Sequence, residues 1–459
     1  MAEARDSGGA VGAFIRRSGY LRKWLVLGIA IGVIAGLGAV VFYLAMTYAG
    51  RFLLGYLGHY DVPTAVGDGG DPGSASFARP WAIPLITCGG ALVSAWLVAK
   101  LAPEAEGHGT DSAIEAVHTD PRAIRARAVV VKLVSSALTI GSGGSAGREG
   151  PTAQISAGFG SLLTRRLNLS DADGRVAVAI GIGSGIGAIF GAPLGGAVLA
   201  SSIVFRADFD YRSLIPGFIT SGTAYAVYGS IIGFTPLFGL VVPDYVFDPT
   251  QIPWFVVIGI IAAAVGYLYA KVFYGTVALT GRLPGGKIVK PAAGGLLVGL
   301  MALLIPQILS SGYGWAQAAA ATDTLTALPL WIVLILPFAK ILATSLTVGT
   351  GGSGGIFGPG IVIGAFVGAA VWRLADLLGL PGLPDGPGVF VVVAMMACFG
   401  SVAHAPLAVM IMVAEMTGSF SVLPGAMLTV GIAYLLINRT EVSIYRAQRR
   451  DRYEQTSDG

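Results

Sequence analysis

The stretch GSGGSAGREGP, residues 141–151, recurs as GTGGSGGIFGP at residues 349–359. The offset is 208 residues (349 minus 141), and seven glycine, serine and proline positions coincide. A second pair, GAIFGAPL at 187–194 and GSVAHAPL at 400–407, repeats at an offset of 213 (400 minus 187). The sequence is therefore organised as two related halves, each with a glycine-rich break inside apolar sequence.

The residues around these repeats have the composition of an integral membrane protein. Of the 459 residues, 54% are hydrophobic and only 12% are charged, whereas soluble domains carry about 25% charged residues. Charge-free stretches long enough for a membrane span of about 20 residues recur along the chain. These stretches are residues 24–49, 81–99, 176–205, 341–372 and 416–438. Paired apolar segments interrupted by Gly and Pro at matching places are typical of inverted-repeat membrane proteins.

The repeat predicts two membrane halves, residues 24–240 and 251–445. Cations flank the spans at both ends of the chain, at Arg16, Arg17, Arg22 and Lys23 and again at Arg446, Arg449, Arg450 and Arg452. By the positive-inside rule, the N-terminal segment 1–23 and the tail 446–459 are predicted to be cytoplasmic, which requires an even number of crossings. The Gly- and Asp-rich residues 49–80 then form a loop on the opposite side. We expect a multi-pass protein of the cell membrane.

The glycine-rich breaks are candidate anion sites. Non-helical backbone inside a membrane is tolerated only where protein or a water-filled cavity satisfies its amide groups. Helices are predicted to begin near Pro151 and Pro359, so their free N–H groups and positive dipole ends point at the breaks. Glu149 adds an ionisable group, and such groups inside membranes are usually functional. A carboxylate and an anion would compete for the same N–H groups.

Three motifs in order resemble the CLC family of chloride channels and proton/chloride exchangers: GREGP at 147–151, GIFGP at 355–359 and SIYRAQ at 443–448. The resemblance covers roughly residues 20–450. It implies an all-α integral membrane protein with a CLC-type inverted-repeat fold of many tilted and broken helices. It also implies a homodimer with one pore per subunit. Segments 214–232 and 421–437 are the candidate subunit contacts, because they are apolar and rich in small residues.

By this resemblance Glu149 is the gate, whose carboxylate occupies an anion site when the pore is shut. The main-chain amides of Ile356 and Phe357 and the hydroxyl of Tyr445 are similar to the groups that surround the central anion. The full set of predicted anion-binding residues is His108, Gly147, Arg148, Gly150, Gly355, Ile356, Phe357 and Tyr445. For Arg148 we expect an electrostatic contribution rather than direct contact with the anion.

Two positions depart from the family pattern. His108, in PEAEGHGTD, stands where the family has a coordinating serine, and is expected either to bind the anion or to sense internal pH. In LASSIV, at Ser202 and Ile203, the family's internal proton-carrying glutamate is replaced by residues that carry no proton. Two further polar residues are interpreted as structural: Glu415 as a helix carboxylate and His404 as a helix-start histidine.

The missing internal acid favours a passive, glutamate-gated chloride channel; the alternative is a proton-coupled chloride exchanger, and a further alternative is a fluoride exporter of the same fold. No HExxH motif, catalytic triad or paired-carboxylate site indicates an enzyme. The expected ligands are bound chloride ions, with protons as a second substrate of an exchanger; no other cofactor and no metal site is predicted. The basic residues lie at span edges rather than among aromatics, which argues against nucleic-acid binding.

Overall fold

The computed structural model describes residues 12–13, 15, 18–74 and 76–453. Over these residues the chain forms 17 α-helices, a few short 3-10 and π turns and three isolated β-bridges, and it contains no strand. The prediction of an all-α protein is confirmed. The predicted N-terminal segment lies outside the described residues up to residue 11 and at 14, 16 and 17, as do residues 454–459 of the predicted tail.

The helices of the first half are α1 (Tyr20–Gly50), α2 (Ala82–Leu101), α3 (Thr110–His118), α4 (Ala126–Gly141), α5 (Glu149–Arg166), α6 (Asp171–Phe190), α7 (Pro193–Ser202) and α8 (Tyr211–Ile232). Those of the second half are α9 (Ile252–Arg282), α10 (Val289–Ala302), α11 (Tyr313–Ala319), α12 (Thr322–Ala327), α13 (Leu330–Val348), α14 (Phe357–Leu377), α15 (Gly388–Val402), α16 (Pro406–Thr417) and α17 (Leu423–Asn438). The two sets match in order, with α12 as an additional short helix. Helix α1 continues through a π turn at Arg51–Leu57, so the predicted loop begins later than residue 49.

Seven helical stretches in the described part of the chain are long and apolar enough to cross a membrane, by length and composition. Two of the charge-free stretches, which the sequence had suggested as single spans, each contain a break. Helix α6 ends at Phe190 and α7 begins at Pro193. Between them Gly191 adopts a left-handed conformation with φ of 67°, and Pro193 starts the next helix, the usual residues for these two positions. The stretch 341–372 divides between α13 and α14, whereas 416–438 contains a single candidate span, Phe420–Asn438.

Close helix contacts depend on glycine where backbones meet. Helix α1 packs against α8 at Gly32 and Gly36, where a Cβ atom would lie 2.6 Å from the carbonyl oxygens of Thr220 and Ala224 respectively. Only glycine permits this approach, as is common between membrane helices. One side of the predicted subunit-contact segment 214–232 is therefore used within the chain, and the homodimer itself stays a prediction.

The two glycine-rich breaks, residues 141–151 and 349–359, contact each other in the structure. Gly147 and Gly355, which are equivalent residues of the repeat, donate main-chain N–H groups to each other's carbonyl oxygens, both at 2.8 Å. Their pairing is antiparallel. Equivalent residues that bind each other reciprocally lie on a local two-fold axis. The halves are thus related by a two-fold rotation at this point.

Hydroxyl groups extend this symmetry to both sides of the axis. Ser353 of the second break contacts the hydroxyls of Ser135 and Ser136 on α4, at 3.0 and 2.9 Å. In the equivalent place, Ser145 of the first break contacts Thr344 on α13 at 3.0 Å. Each break is therefore held by the helix of the other half, which satisfies polar groups buried between the halves.

Candidate anion site

Helices α5 and α14 begin at Glu149 and Phe357, two residues before the prolines where the sequence predicted their starts. The residues of both breaks around the two-fold axis are buried. Gly150 packs so tightly that a Cβ atom would lie 2.3 Å from the carbonyl oxygen of His108 and 3.0 Å from the Cα of Gly355. The structure thus brings the predicted residues of three separate segments, around His108, Glu149 and Gly355, into one place.

The carboxylate of Glu149 is folded back into the space between the two breaks. Glu149 is buried, with 1% of its surface exposed. One carboxylate oxygen, Oε1, accepts a hydrogen bond from the N–H of Gly358 in the first turn of α14. The other, Oε2, accepts one from the hydroxyl of Tyr313 at 3.0 Å. The carboxylate therefore occupies the positive N-terminal end of the helix in the other half, where an anion is stabilised by the same N–H groups.

The guanidinium group of Arg148 points away from this carboxylate. Its Nη1 atom donates to Oδ1 of Asp68 at 2.8 Å, and the group lies 5.6 and 5.3 Å from the ring centres of Tyr43 and Tyr313. The arginine is 1% exposed. The ion pair and the two aromatic faces stabilise this buried charge, and its electrostatic effect on a bound anion stays a prediction. Asp68 was not predicted.

Aromatic side chains connect the start of α14 with Tyr445. The ring centre of Phe399 lies 4.2 Å from that of Phe357 and 6.2 Å from that of Tyr445. The hydroxyl of Tyr269 donates to the carbonyl oxygen of Ile356 at 2.8 Å. This bond gives a buried main-chain carbonyl a hydrogen-bond partner at the start of α14. The structure brings Ile356, Phe357 and Tyr445 together, as predicted.

Tyr445 lies on a non-helical C-terminal segment that is held by hydrogen bonds at several points. Gln448 donates its amide N–H groups to the carbonyl oxygens of Ile203 and Ala403, at 3.0 and 2.9 Å. The carboxylate of Asp111 accepts the main-chain N–H groups of Arg446 and Ala447, at 3.3 and 3.2 Å. These contacts give hydrogen-bond partners to polar groups of the non-helical segment that follows the last helix. They also fix the position of the Tyr445 ring.

His108 lies next to this ring, with centroids 5.7 Å apart, and is 6% exposed. Its Nε2 atom is 3.2 Å from Oδ2 of Asp111, while its Nδ1 is buried and has no hydrogen-bond partner within the described residues. A buried nitrogen without a partner is unusual. Thr110, which the sequence did not single out, places its hydroxyl beside that of Tyr445.

In the structure, as in the sequence, Ser202 and Ile203 offer no ionisable side chain in place of the family's internal glutamate. Ile203 is completely buried and offers only its carbonyl oxygen, to Gln448, and the hydroxyl of Ser202 donates to the carbonyl of Val198. Glu415 accepts the N–H groups of Leu194 and Gly195 at the start of α7, at 3.0 and 2.7 Å, which fits the structural role expected of it. His404 contacts the carbonyl oxygen of Val442 at 2.9 Å.

A sequence model described as "Voltage gated chloride channel" matches residues 90–438. This match covers most of the chain and includes both breaks. The chain belongs to this chloride-channel family, the CLC family. A putative chloride channel protein ClcB-like from Ralstonia nicotianae is 32% identical over 84% of this chain and 90% of its own length. The H(+)/Cl(-) exchange transporter ClcA of Citrobacter koseri is 29% identical over 87% of this chain and 82% of its own length.

Among solved structures, a slow cyanobacterial Cl-/H+ antiporter superposes with a TM-score of 0.78 at 22% sequence identity, covering 92% of this chain and 96% of the antiporter. At this identity the likeness establishes the fold. The CLC-type fold expected from the sequence is confirmed, and anion transport follows from membership of the CLC family.

Several residues of the site were missed because they come from segments without a recognised motif. Asp68 lies in a loop, and Tyr313 lies at the start of α11. The repeat carries a signal for Tyr313 that motif matching overlooks: Gly312 and Tyr313 occupy the second half's version of Gly109 and Thr110. No comparable pattern in the sequence points to Asp68.

Proposed function

We propose that this CLC protein is an exchanger that moves chloride and protons in opposite directions, with Glu149 as the shared gate and proton carrier. The position of the Glu149 carboxylate on the N–H of Gly358 carries the proposal. Relatives named as proton/chloride exchange transporters support exchange over the passive channel that the sequence alone favoured.

The proposed cycle follows from competition for the start of α14. An ionised Glu149 and a chloride ion need the same N–H groups, so they exclude each other. When Glu149 takes up a proton, its attraction to the positive end of the helix falls, and chloride enters. When the side chain returns and releases the proton to the other side, the anion is displaced. One group thus couples the two movements without any covalent step.

A second anion position is proposed near Tyr445, beside the main-chain N–H groups of Ile356 and Phe357. A phenol donates one hydrogen bond and carries no charge, so it holds an anion weakly enough for release. The proposed ligands nearest the cytoplasm are Tyr445 and Thr110, with His108 either as an additional ligand or as a cation when protonated.

Protons need a route from the Tyr445 side to Glu149, and Ile203 supplies none. The titratable pair next to Tyr445 is His108 and Asp111, whose 3.2 Å contact ties the histidine to a carboxylate. Histidine changes charge near neutral pH and serves as a proton shuttle in many proteins. We therefore assign the internal proton step to His108, with Asp111 as its partner.

The deciding experiment reconstitutes the purified protein in liposomes and records chloride and proton fluxes together. An outward chloride gradient should drive protons inward against their own gradient. In Glu149→Ala, chloride should continue to move while proton movement stops. Glu415→Gln is the matched control, since it removes another helix-terminal carboxylate and should leave coupling intact.

The alternatives give different results in the same liposomes. Chloride flux without any proton movement in the wild type would contradict exchange and support the passive channel. A fluoride flux much faster than that of chloride would support the fluoride exporter.

A further inference from the structure

The turn before α11 is a second copy of the turn that carries His108. PEAEGHGT at 103–110 and PQILSSGY at 306–313 lie at an offset of 203 (306 minus 103). Both open with a 3-10 turn, at Pro103–Ala105 and Pro306–Ile308, and both are followed at once by a helix. Their backbones also agree: φ is 75° at Gly107 and 52° at Ser310, and 84° and 82° at Gly109 and Gly312. We call residues 107–110 the inner turn and 310–313 the outer turn.

A buried lysine holds each turn in the same manner. Lys132 donates to the carbonyl oxygens of Ala105 and Gly107, at 3.1 and 2.6 Å. Lys340, 208 residues later, donates to those of Ile308 and Ser310, at 2.9 and 2.8 Å. Both lysines are completely buried, and neither has a carboxylate within ion-pair distance among the described residues. Each lysine therefore ties its turn to a helix of the same half, α4 or α13, through two hydrogen bonds.

The residue that ends each turn reaches the transport path. At the inner turn, Thr110 lies beside Tyr445. At the outer turn, the equivalent Tyr313 donates its hydroxyl to Oε2 of Glu149 at 3.0 Å. We propose that Tyr313 is a positioning residue, which holds Glu149 in the shut position and so sets the conditions under which the gate opens. This inference rests on Glu149 being the gate, as proposed above.

The surroundings of Tyr313 leave its hydroxyl little freedom. The residue is 2% exposed, with its ring packed against Phe190 and Phe238 and beside the guanidinium of Arg148. On its other side lies a cavity of about 320 Å³ that is also lined by Arg51, Tyr60, Ser310 and Ser311. Tyr313 therefore stands between this cavity and the carboxylate.

Among the described residues, the other titratable groups that act on the Glu149 carboxylate are Arg148, Tyr269 of α9 and Tyr445 of the C-terminal segment. Asp68 acts on it through Arg148. In the described part of the chain, Tyr313 donates a side-chain hydrogen bond to the Glu149 carboxylate, and the other four groups do not. Such a bond stabilises the ionised form over the protonated form. Without it, Glu149 should take up a proton at higher pH and leave the α14 helix more readily.

Tyr313→Phe tests this, because it removes the hydroxyl and keeps the ring beside Arg148. Hydrogen bonds to charged groups are strong enough that the shut state should lose stability by about tenfold. The pH of half-maximal chloride flux should then rise by about one unit. Tyr43→Phe is the matched control, since Tyr43 also packs on Arg148 but makes no hydrogen bond to Glu149, and it should leave the pH profile unchanged. If Tyr313→Phe fails to fold, Tyr313→Leu carries the same expectation.

The double variant separates this proposal from the gate itself. In a Glu149→Gln background, adding Tyr313→Phe should change nothing further. A wild-type pH profile in Tyr313→Phe, or a shift that persists in the Glu149→Gln background, would overturn the role of Tyr313. If Glu149→Gln alone leaves the pH profile of the wild type unchanged, the gate is wrong, and that failure is visible without any Tyr313 variant.

Discussion

The carboxylate of Glu149 lies over Gly147 so closely that a Cβ atom on the glycine would be 2.0 Å from Oε1. The nearest atoms to that Cβ all belong to the end of the glutamate side chain, which can move, and not to backbone. A methyl group at Gly147 is therefore incompatible with this position of the Glu149 carboxylate. The same pair of residues thus provides a way to open the gate without altering Glu149.

Gly147→Ala should consequently expel the carboxylate and increase chloride flux at neutral pH, as Glu149→Gln is expected to do. Chloride efflux from liposomes measures this directly. Gly275→Ala is the control, because Gly275 lies in α9, outside both breaks and both predicted subunit-contact segments, and a Cβ atom there meets nothing within 4 Å. A Gly147→Ala protein that folds and keeps the wild-type flux and pH dependence would show that the carboxylate position described here is not the shut state.

Replacement of Glu149 itself should separate its two proposed roles. Glu149→Gln has the shape of the protonated acid, and Glu149→Ala leaves the N–H of Gly358 free for an additional anion. In both variants, chloride flux should lose most of its pH dependence. Chloride binding measured by calorimetry should be tighter in Glu149→Ala than in the wild type. Unchanged pH dependence in both variants would exclude Glu149 as the gate.

The sequence predicted the parts of this site that are repeated or contained in a motif. The breaks and the approximate starts of α5 and α14 were accessible because glycine, proline and a helix terminus have fixed physical consequences. The grouping of Glu149 with Ile356, Phe357 and Tyr445 came from the resemblance to the CLC family. The docking of Glu149 on the helix of the other half was not accessible, since it depends on how the two breaks face each other. Asp68 and Tyr313 contact the other residues of the site across long sequence separations. No pattern in the sequence points to Asp68, and Tyr313 is marked only by its equivalence to Thr110 in the repeat.

The C-terminal segment is tied to the loop after α7 by an exposed ion pair. Arg452 contacts both carboxylate oxygens of Asp208, and this hydrogen bonding lowers the pKa of Asp208 to about 2. Because the pKa is lowered on folding, the pair stabilises the protein above the ordinary pKa of aspartate, about 4, and loses this effect as the pH falls towards about 2. From about pH 4, the ordinary pKa of aspartate, up to neutrality, its contribution is constant.

Asp208→Asn should therefore lower the free energy of unfolding by less than about 1 kcal/mol, the usual value for an exposed pair. Thermal unfolding in detergent at neutral pH measures this. The flux response to acid between about pH 5.5 and 7.5, where histidine titrates, should be the same as in the wild type. A large loss of stability would mean that the segment carrying Tyr445 depends on this pair far more than its exposure suggests.

His108 is the proposed internal proton station, and its variants should affect coupling and internal pH response together. A positive charge on His108 beside Tyr445 would attract anions, so acidification of the cytoplasmic side should increase chloride flux. His108→Ser restores the residue type of the family and should flatten this response. If His108 also passes protons, the same variant should reduce proton movement more than chloride movement.

Asp208→Asn provides the control, because it alters a carboxylate on another segment without touching the pore. A wild type that ignores internal pH would reject His108 as a sensor. Unaltered coupling in His108→Ser would assign the proton step to another group, while leaving Glu149 and the anion path as they are.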